Sequence, residues 1–229
     1  MQGWGPAADP GYAGPIAVFG ATGRTSSLVL QQARRCGWPV RALVRSQAKL
    51  AAGAGLAVVE GDARDEQAVQ SVNDGAGSQV GAVLCAVGMH DIALPATDFS
   101  DSVKTIVAVM KRRGVRRIVA IASAGVLDHP QGGLRNEHGF PAYLRNVSAE
   151  QVRNLETLRA SGLDWTLTCP MNLVDEVPAG HATWLYDDLP PGSEQTACAD
   201  LAVAMCDLLT ERASLGKRVG IVTVRGDTA

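Results

Sequence analysis

The feature that most constrains this chain is the run Gly20-Ala21-Thr22-Gly23-Arg24-Thr25-Ser26. It follows directly on the apolar stretch Ile16-Ala17-Val18-Phe19 and leads into a segment of helical composition that continues to about Cys36. A strand, a glycine turn and a helix in that order let a backbone come close to a pyrophosphate. Glycine accepts the tight turn, and the first turn of the helix offers unbonded N–H groups at the positive end of its dipole. Glycines also end strands for purely structural reasons, so the turn takes its meaning from what surrounds it.

What surrounds it is a regular alternation of short apolar runs with helical segments. Pro39–Val44, Leu56–Val59, Ala82–Val87, Arg117–Ala122, Trp165–Thr168 and Arg218–Val224 are the expected further strands. Helices are expected from Arg24 to Cys36, from Asp65 to Val72, and from a cap at Asp98 or Ser100 to Gly114. Two more are expected: one opened by the capping-box pattern Ser148-Ala149-Glu150-Gln151 and closed at Gly162, and one from about Thr196 to Arg212. The apolar runs do not alternate with polar residues, as befits strands covered on both faces. The fold class is therefore α/β, a single Rossmann-type doubly wound parallel sheet with helices on both faces. A length of 229 residues suits one such domain. Hydrophobic residues make up 46% and aromatics only 4%, so the core must be aliphatic.

Residues 1–14, rich in Gly, Pro and Ala, read as a flexible tail ahead of a domain over 15–229. Segments 123–147 and 170–195 fit neither period. Long polar segments after strand ends of this kind are expected to be substrate loops.

Other classes are disfavoured. A net charge of −2 lacks the basic surface that nucleic acid requires. No apolar run approaches the ~18 residues of a membrane span. The five cysteines form no paired motif and sit among apolar residues, which points to buried free thiols in a reducing compartment. His90, His129, His138 and His181 lack the spacing of metal ligands, so no metal is expected. Without the pattern of a targeting segment at Met1–Gly14, a cytoplasmic location is the default expectation.

The end of the second strand bears on the choice of dinucleotide. An acid there would hold ribose hydroxyls, whereas Leu43-Val44-Arg45-Ser46 places Arg45 there, with Lys49 nearby, which suits a 2′-phosphate. The cofactor expected is NADP(H). Gly61-Asp62-Ala63 and Ala86-Val87-Gly88, after the third and fourth strands, suit an adenine pocket and the central ribose edge, and each could equally be a plain turn. Ser26 stands where the fingerprint usually has Gly or Ala.

With these residues assembled, the chain resembles the atypical short-chain dehydrogenase/reductases, in the branch of NmrA-like proteins and biliverdin/flavin reductase. The stretches that carry the resemblance are IAVFGATGRTSS, VRALVRSQAKL, VEGDARD, CAVG, MKRRGVRRIVAIASAGV and LETLRASGLDWTLTCP. The resemblance implies that Gly20, Thr22, Gly23, Arg24 and Thr25 form the phosphate-binding turn and Arg45 the 2′-phosphate site. It places Asp62 and Ala63 at the adenine, Ala86 and Gly88 at the ribose, Ser123 beside the nicotinamide, and Pro170 and Met171 over it. It also implies a monomer.

The sequence departs from that pattern twice. The Tyr-x-x-x-Lys pair of ordinary short-chain dehydrogenases is absent, since Tyr143 is followed by Val147 at the lysine position, and Asn172 stands where the flavin-reductase branch has a histidine. The expectation is an NADPH-dependent reductase acting on a flat aromatic small molecule (a flavin, tetrapyrrole or quinone-like acceptor), with Ser123 and Asn172 as candidate catalytic residues. The alternative is a non-catalytic NmrA-like protein that senses NADP(H) or binds a partner. The plain alternatives are that Ser123 only caps a strand end and that Asn172 only ties down its loop. Trp184 and Tyr186 are candidates to stack on a ligand or to anchor the second loop, and His138 and Tyr143 are read as surface loop residues.

Overall fold

A computed structural model describes Tyr12 and residues 14–75, 78–89, 91–175, 180–192 and 194–225. The tail expected over 1–14 lies outside the described residues except for Tyr12 and Gly14, as does His90. The elements run β1 (Ile16–Phe19), α1 (Arg24–Arg35), β2 (Val40–Val44), β3 (Leu56–Glu60), α2 (Glu66–Asp74), β4 (Ala82–Cys85), α3 (Asp98–Arg113) and β5 (Arg117–Ile121). They continue with α4 (Arg145–Ser161), β6 (Asp164–Pro170), β7 (Leu173–Val174), β8 (Gly180–Tyr186), β9 (Thr196–Ala197), α5 (Cys198–Thr210) and β10 (Lys217–Arg225).

Eight strands form one sheet in the order β3-β2-β1-β4-β5-β6-β10-β8. All neighbours are parallel except β10 and β8, which pair antiparallel from Val219 opposite Tyr186 to Arg225 opposite Gly180. Strand order reverses between β1 and β4, and a doubly wound sheet opens its ligand crevice at such a switch point.

Alternation along the strands explains the uninterrupted apolar runs. Ala17, Phe19, Val83, Cys85, Ile118 and Ala120 turn to one face, where Val69, Val72, Ile106, Met110, Leu155 and Leu158 of α2, α3 and α4 cover them. Ile16, Val18, Ala42, Leu84, Val119 and Val219 turn to the other, beneath Val29, Ala33, Leu201 and Met205 of α1 and α5. Helices cover both faces, so each strand carries apolar residues toward either side.

Three expectations are corrected. Helix α3 begins after Thr97, not after a cap at Asp98 or Ser100, and Ser100 is buried inside the helix. Helix α4 begins three residues before Ser148, and the supposed capping box is spent on tertiary contacts. Ser148 accepts a hydrogen bond from Asn136 at 2.7 Å, and buried Glu150 accepts from the Ser100 N–H and hydroxyl at 2.8 and 2.9 Å. The segment 170–195 is not structureless: β8 adds a seven-residue antiparallel edge to a sheet expected to be parallel throughout.

Candidate cofactor and active site

The turn after β1 is built by close approach. Gly20 has φ +86°, and a Cβ there would stand 2.6 Å from the Ala86 carbonyl oxygen at the end of β4. Glycine satisfies both demands, the left-handed backbone and the contact. Gly23 N–H donates to the Gly20 carbonyl at 3.0 Å and closes the turn. Gly23 is also the residue preceding α1, whose first turn carries neither an acidic residue nor a side-chain cap. The helix therefore keeps its first N–H groups and its positive dipole end for a ligand. Ser26, buried, donates to the Ala86 carbonyl at 2.8 Å and fastens α1 to β4 across the switch point.

The other side chains of the turn diverge. Thr22 is exposed. Arg24 is exposed but directed to the segment after β6, pairing with Asp175 at 3.3 Å and lying 3.5 Å from the Leu173 carbonyl. Thr25 is buried, and its hydroxyl donates to the Cys198 sulfur at 3.4 Å at the start of α5. Thr25 thus secures helix packing, and its side chain does not stand open to a phosphate.

Arg45 is exposed just beyond β2. Asp62, just beyond β3, lies within its field but is held chiefly by Arg64, which donates Nε to Oδ1 at 3.0 Å and a terminal nitrogen to Oδ2 at 2.6 Å. The Arg64 backbone N–H adds a third bond at 2.8 Å. These contacts hold the Asp62 carboxyl at about 2, so it is an anion at any physiological pH. Arg64 also reaches Asp98 at the start of α3, at 2.8 Å. Sequence reasoning missed Arg64, because nothing in the run Gly-Asp-Ala-Arg-Asp shows which charge will fold back on Asp62. Ala63 is half-buried against the core. Ala86 is buried, whereas Gly88 is exposed, with nothing within 4 Å of where a Cβ would stand.

Ser123 follows β5 and caps a short 3₁₀ turn at Ala124–Val126, accepting from Gly125 N–H at 3.3 Å. Its hydroxyl donates to Gln151 Oε1 on α4 at 2.6 Å. Gln151 is buried, and the sequence pointed to it only as part of a capping box, not as a partner of Ser123. Pro170, buried, ends β6, and Met171 N–H donates to Thr196 Oγ1 at 3.1 Å. The Asn172 carbonyl accepts from Thr196 N–H at 3.2 Å, while its side chain is exposed. Among the described residues that side chain has no hydrogen-bond partner. His138 stacks on His129 with ring centroids 3.8 Å apart, and Tyr143 is exposed. Trp184, in β8, packs partly buried against the core, which makes it an anchor of the second loop, and Tyr186 is 38% exposed.

Gly20, Arg45, Asp62, Ala86, Ser123 and Met171 thus all follow strands at one edge of the sheet, around the switch point. Among the described residues no cluster of three or more His, Cys, Asp or Glu could hold a metal. No described helix is long and apolar enough to cross a membrane.

This fold and edge define a dinucleotide-binding Rossmann protein. The model of the NAD(P)H-binding family matches residues 20–212, and the chain belongs to that family. Solved structures of similar fold cover several activities. A proposed epimerase of Bacteroides thetaiotaomicron is 25% identical with a TM-score of 0.78, over 93% of this chain and 98% of that one. A proposed NADH-flavin reductase of Streptococcus pneumoniae is 20% identical with a TM-score of 0.75, over 93% and 100%. A short-chain dehydrogenase/reductase of Veillonella parvula in complex with NADP is 14% identical with a TM-score of 0.68, over 91% and 94%. The expected resemblance to short-chain dehydrogenase/reductases holds at the level of the fold, and the family shown is the NAD(P)H-binding one.

Proposed function

We propose that this protein is an NADPH-dependent oxidoreductase that delivers a hydride to a flat aromatic acceptor of the flavin, tetrapyrrole or quinone class. The observation that carries the reading is the uncapped first turn of α1, fastened by Ser26 to Ala86 at the switch point, with Arg45 beyond the neighbouring strand. The residues fit the dinucleotide: the cradle at Gly20 excludes any side chain, and its N–H groups have no competing acid. In this reading Gly20, Gly23 and the first amides of α1 hold the pyrophosphate. Arg45 holds the 2′-phosphate, and ionised Asp62 accepts from the adenine amino group. When bound, the cofactor supplies the hydride.

The chain's own groups then orient the acceptor. The Ser123 hydroxyl is held by Gln151 at the end of β5, and the Asn172 amide is exposed beyond β6. Ser123 orients the nicotinamide side, and Asn172 donates to an acceptor oxygen. With Val147 at the lysine position of the Tyr-x-x-x-Lys pair, an acceptor able to take its proton from water suits the site better than a carbonyl needing a strong acid. The pneumococcal neighbour's designation as a proposed NADH-flavin reductase supports the same acceptor class.

The test is a fluorescence titration with NADPH and NADH, followed by addition of FMN, biliverdin or a simple quinone while NADPH absorbance is recorded. Tight NADPH binding with steady oxidation is expected. Tight binding without oxidation by any acceptor replaces the reductase with a cofactor-sensing protein, a reading favoured by Val147 at the lysine position and Asn172 at the histidine position.

A further inference from the structure

A cavity of about 380 Å³ lies between the loop after β5 and the first turn of α4, with Asn136, Phe140, Arg145 and Ser148 in its wall. That volume suits a small-molecule subsite. Its inner side is the turn that Ser123 caps. Phe140 and Asn136 pack on Gly125 so closely that a Cβ there would stand 3.0 Å from the Phe140 ring and 3.4 Å from the Asn136 Cβ. Gly125 N–H in turn donates to Ser123 Oγ at 3.3 Å. On α4, Ser148 stands about one turn before Gln151, which accepts from the Ser123 hydroxyl. The cavity thus adjoins the Ser123 end of the crevice, away from Arg45 and Asp62 beyond β2 and β3.

Two polar groups in its wall are unspent. Arg145 is exposed, and among the described residues its guanidinium has no ion pair and no hydrogen bond. Arginines on the flanking segments are engaged, Arg135 with Asp188 at 3.0 Å and Arg153 with Glu150. Asn136 donates Nδ2 to Ser148 at 2.7 Å, but its Oδ1 is shut from solvent and has no partner among the described residues. Glu137 also borders the cavity, with its carboxylate against Gly133 and unpaired with Arg145. Exposed apolar side chains stand beside it: Tyr143, next to Ala142 of the wall, and Leu94, at 68% and 61% exposure. Asn146 donates to the Ala93 carbonyl at 2.9 Å and ties the segment of Leu94 to α4.

We propose that this cavity is the subsite for an anionic arm of the flat acceptor, a phosphate or carboxylate paired with Arg145, an inference that rests on the reductase reading above. A guanidinium presents a planar fork of donors that matches either anion. A buried acceptor without a donor is costly, and an O–H or N–H of the same ligand relieves it at Asn136 Oδ1. Tyr143 and Leu94 cover a face of the ring, and Ser123 meets its reacting edge. The phosphate of FMN and the propionates of biliverdin both supply such an anion, whereas a simple quinone supplies none. The acceptors of the proposed reductase thus narrow to anionic ones.

The experiment measures binding to the full chain, with and without NADP+ so that no turnover occurs, for two matched pairs: FMN against riboflavin, and biliverdin against its dimethyl ester. The charged member of at least one pair is expected to bind at least about tenfold tighter than its neutral partner, and the pair that shows it identifies the source of the anion. Arg145→Met should bring that ratio close to one, and Arg145→Lys should restore part of it. Thermal melting confirms that both variants are folded. Equal binding within both pairs, a ratio unmoved by Arg145→Met, or a loss of NADPH affinity in that variant would each overturn the proposal. NADPH oxidation by the same four compounds separates the two readings. Anion-selective binding without oxidation keeps the subsite and removes the reductase, whereas oxidation without anion selectivity keeps the reductase and removes the subsite.

Discussion

Ser26 donates its hydroxyl to the carbonyl of Ala86 at 2.8 Å, joining the first turn of α1 to the end of β4 over the same carbonyl that forbids a side chain at Gly20. One oxygen thus fixes both the height of the turn and the entry of the helix. Gly20→Ala forces a Cβ to 2.6 Å from it at φ +86°. A destabilisation of about 2–3 kcal/mol is expected in urea unfolding, from strain and overpacking together. Gly88→Ala is the contrast, since its Cβ meets nothing within 4 Å. Its unfolding midpoint should not move, while NADPH affinity falls if a ribose passes there. An unchanged affinity would remove Gly88 from the cofactor site.

In the proposed reading Arg45 sets a preference for the phosphorylated dinucleotide. Arg45→Asp should weaken NADPH binding by at least about tenfold, or ~1.4 kcal/mol, and leave NADH nearly unchanged or improved. Parallel titrations of the two cofactors decide it, and equal losses would show that Arg45 does not read the 2′-phosphate.

Arg24 is engaged away from the turn, with Asp175. Both side chains are more than half exposed, at 57% and 74%, so the pair is weak. It competes with a phosphate for the guanidinium by no more than about 1 kcal/mol. Asp175→Asn should tighten NADPH binding by up to about fivefold, measured by the same titration at low salt. A loss of affinity would mean that Asp175 supports the cofactor loop instead.

Asp62 has its carboxyl lowered from 3.8 to about 2 by Arg64, so its contribution has a defined acid limb. A group lowered in the folded state stabilises fully above its unfolded value and loses that contribution as pH falls through the folded one. Stability from Asp62 is thus complete above about pH 4 and disappears toward pH 2. The Asp62 side chain is 38% exposed, and screening leaves about 1 kcal/mol or less. Arg64→Ala should flatten the fall of the melting temperature between those pH values, while changing it little at neutral pH. The same acid slope in both proteins would show that Asp101, Asp128 and Asp187, which are also lowered, carry the effect.

Much of this architecture was legible because the sheet is buried on both faces and each strand is a short aliphatic run. That Gly20, Arg45 and Asp62 follow β1, β2 and β3 was legible because each comes just after such a run. What was not legible depended on tertiary competition for polar groups. Ser148 and Glu150 had the spacing of a capping box, but Asn136 and Ser100 claimed them. Thr25 had the position of a phosphate ligand, but Cys198 lies beneath it. Strand β8 was hidden because an edge strand with His181 and Thr183 ahead of Trp184, Leu185 and Tyr186 is neither strictly alternating nor continuously apolar.

Two guanidiniums on the far side of the sheet have a wider consequence. Arg41, in β2, donates to the carbonyls of Val72 and Asn73 at the end of α2, and to that of Ser78. Arg117, in β5, donates to the carbonyls of Leu208 and Leu209 at the end of α5, and to Ser214. Burial draws the Arg117 guanidinium down to about 10, which leaves it charged throughout the physiological range. Each strand thus grips the tail of a helix on its own layer with one long side chain. The helix tails on that rim are therefore tied to the sheet through the strands themselves, one from each layer.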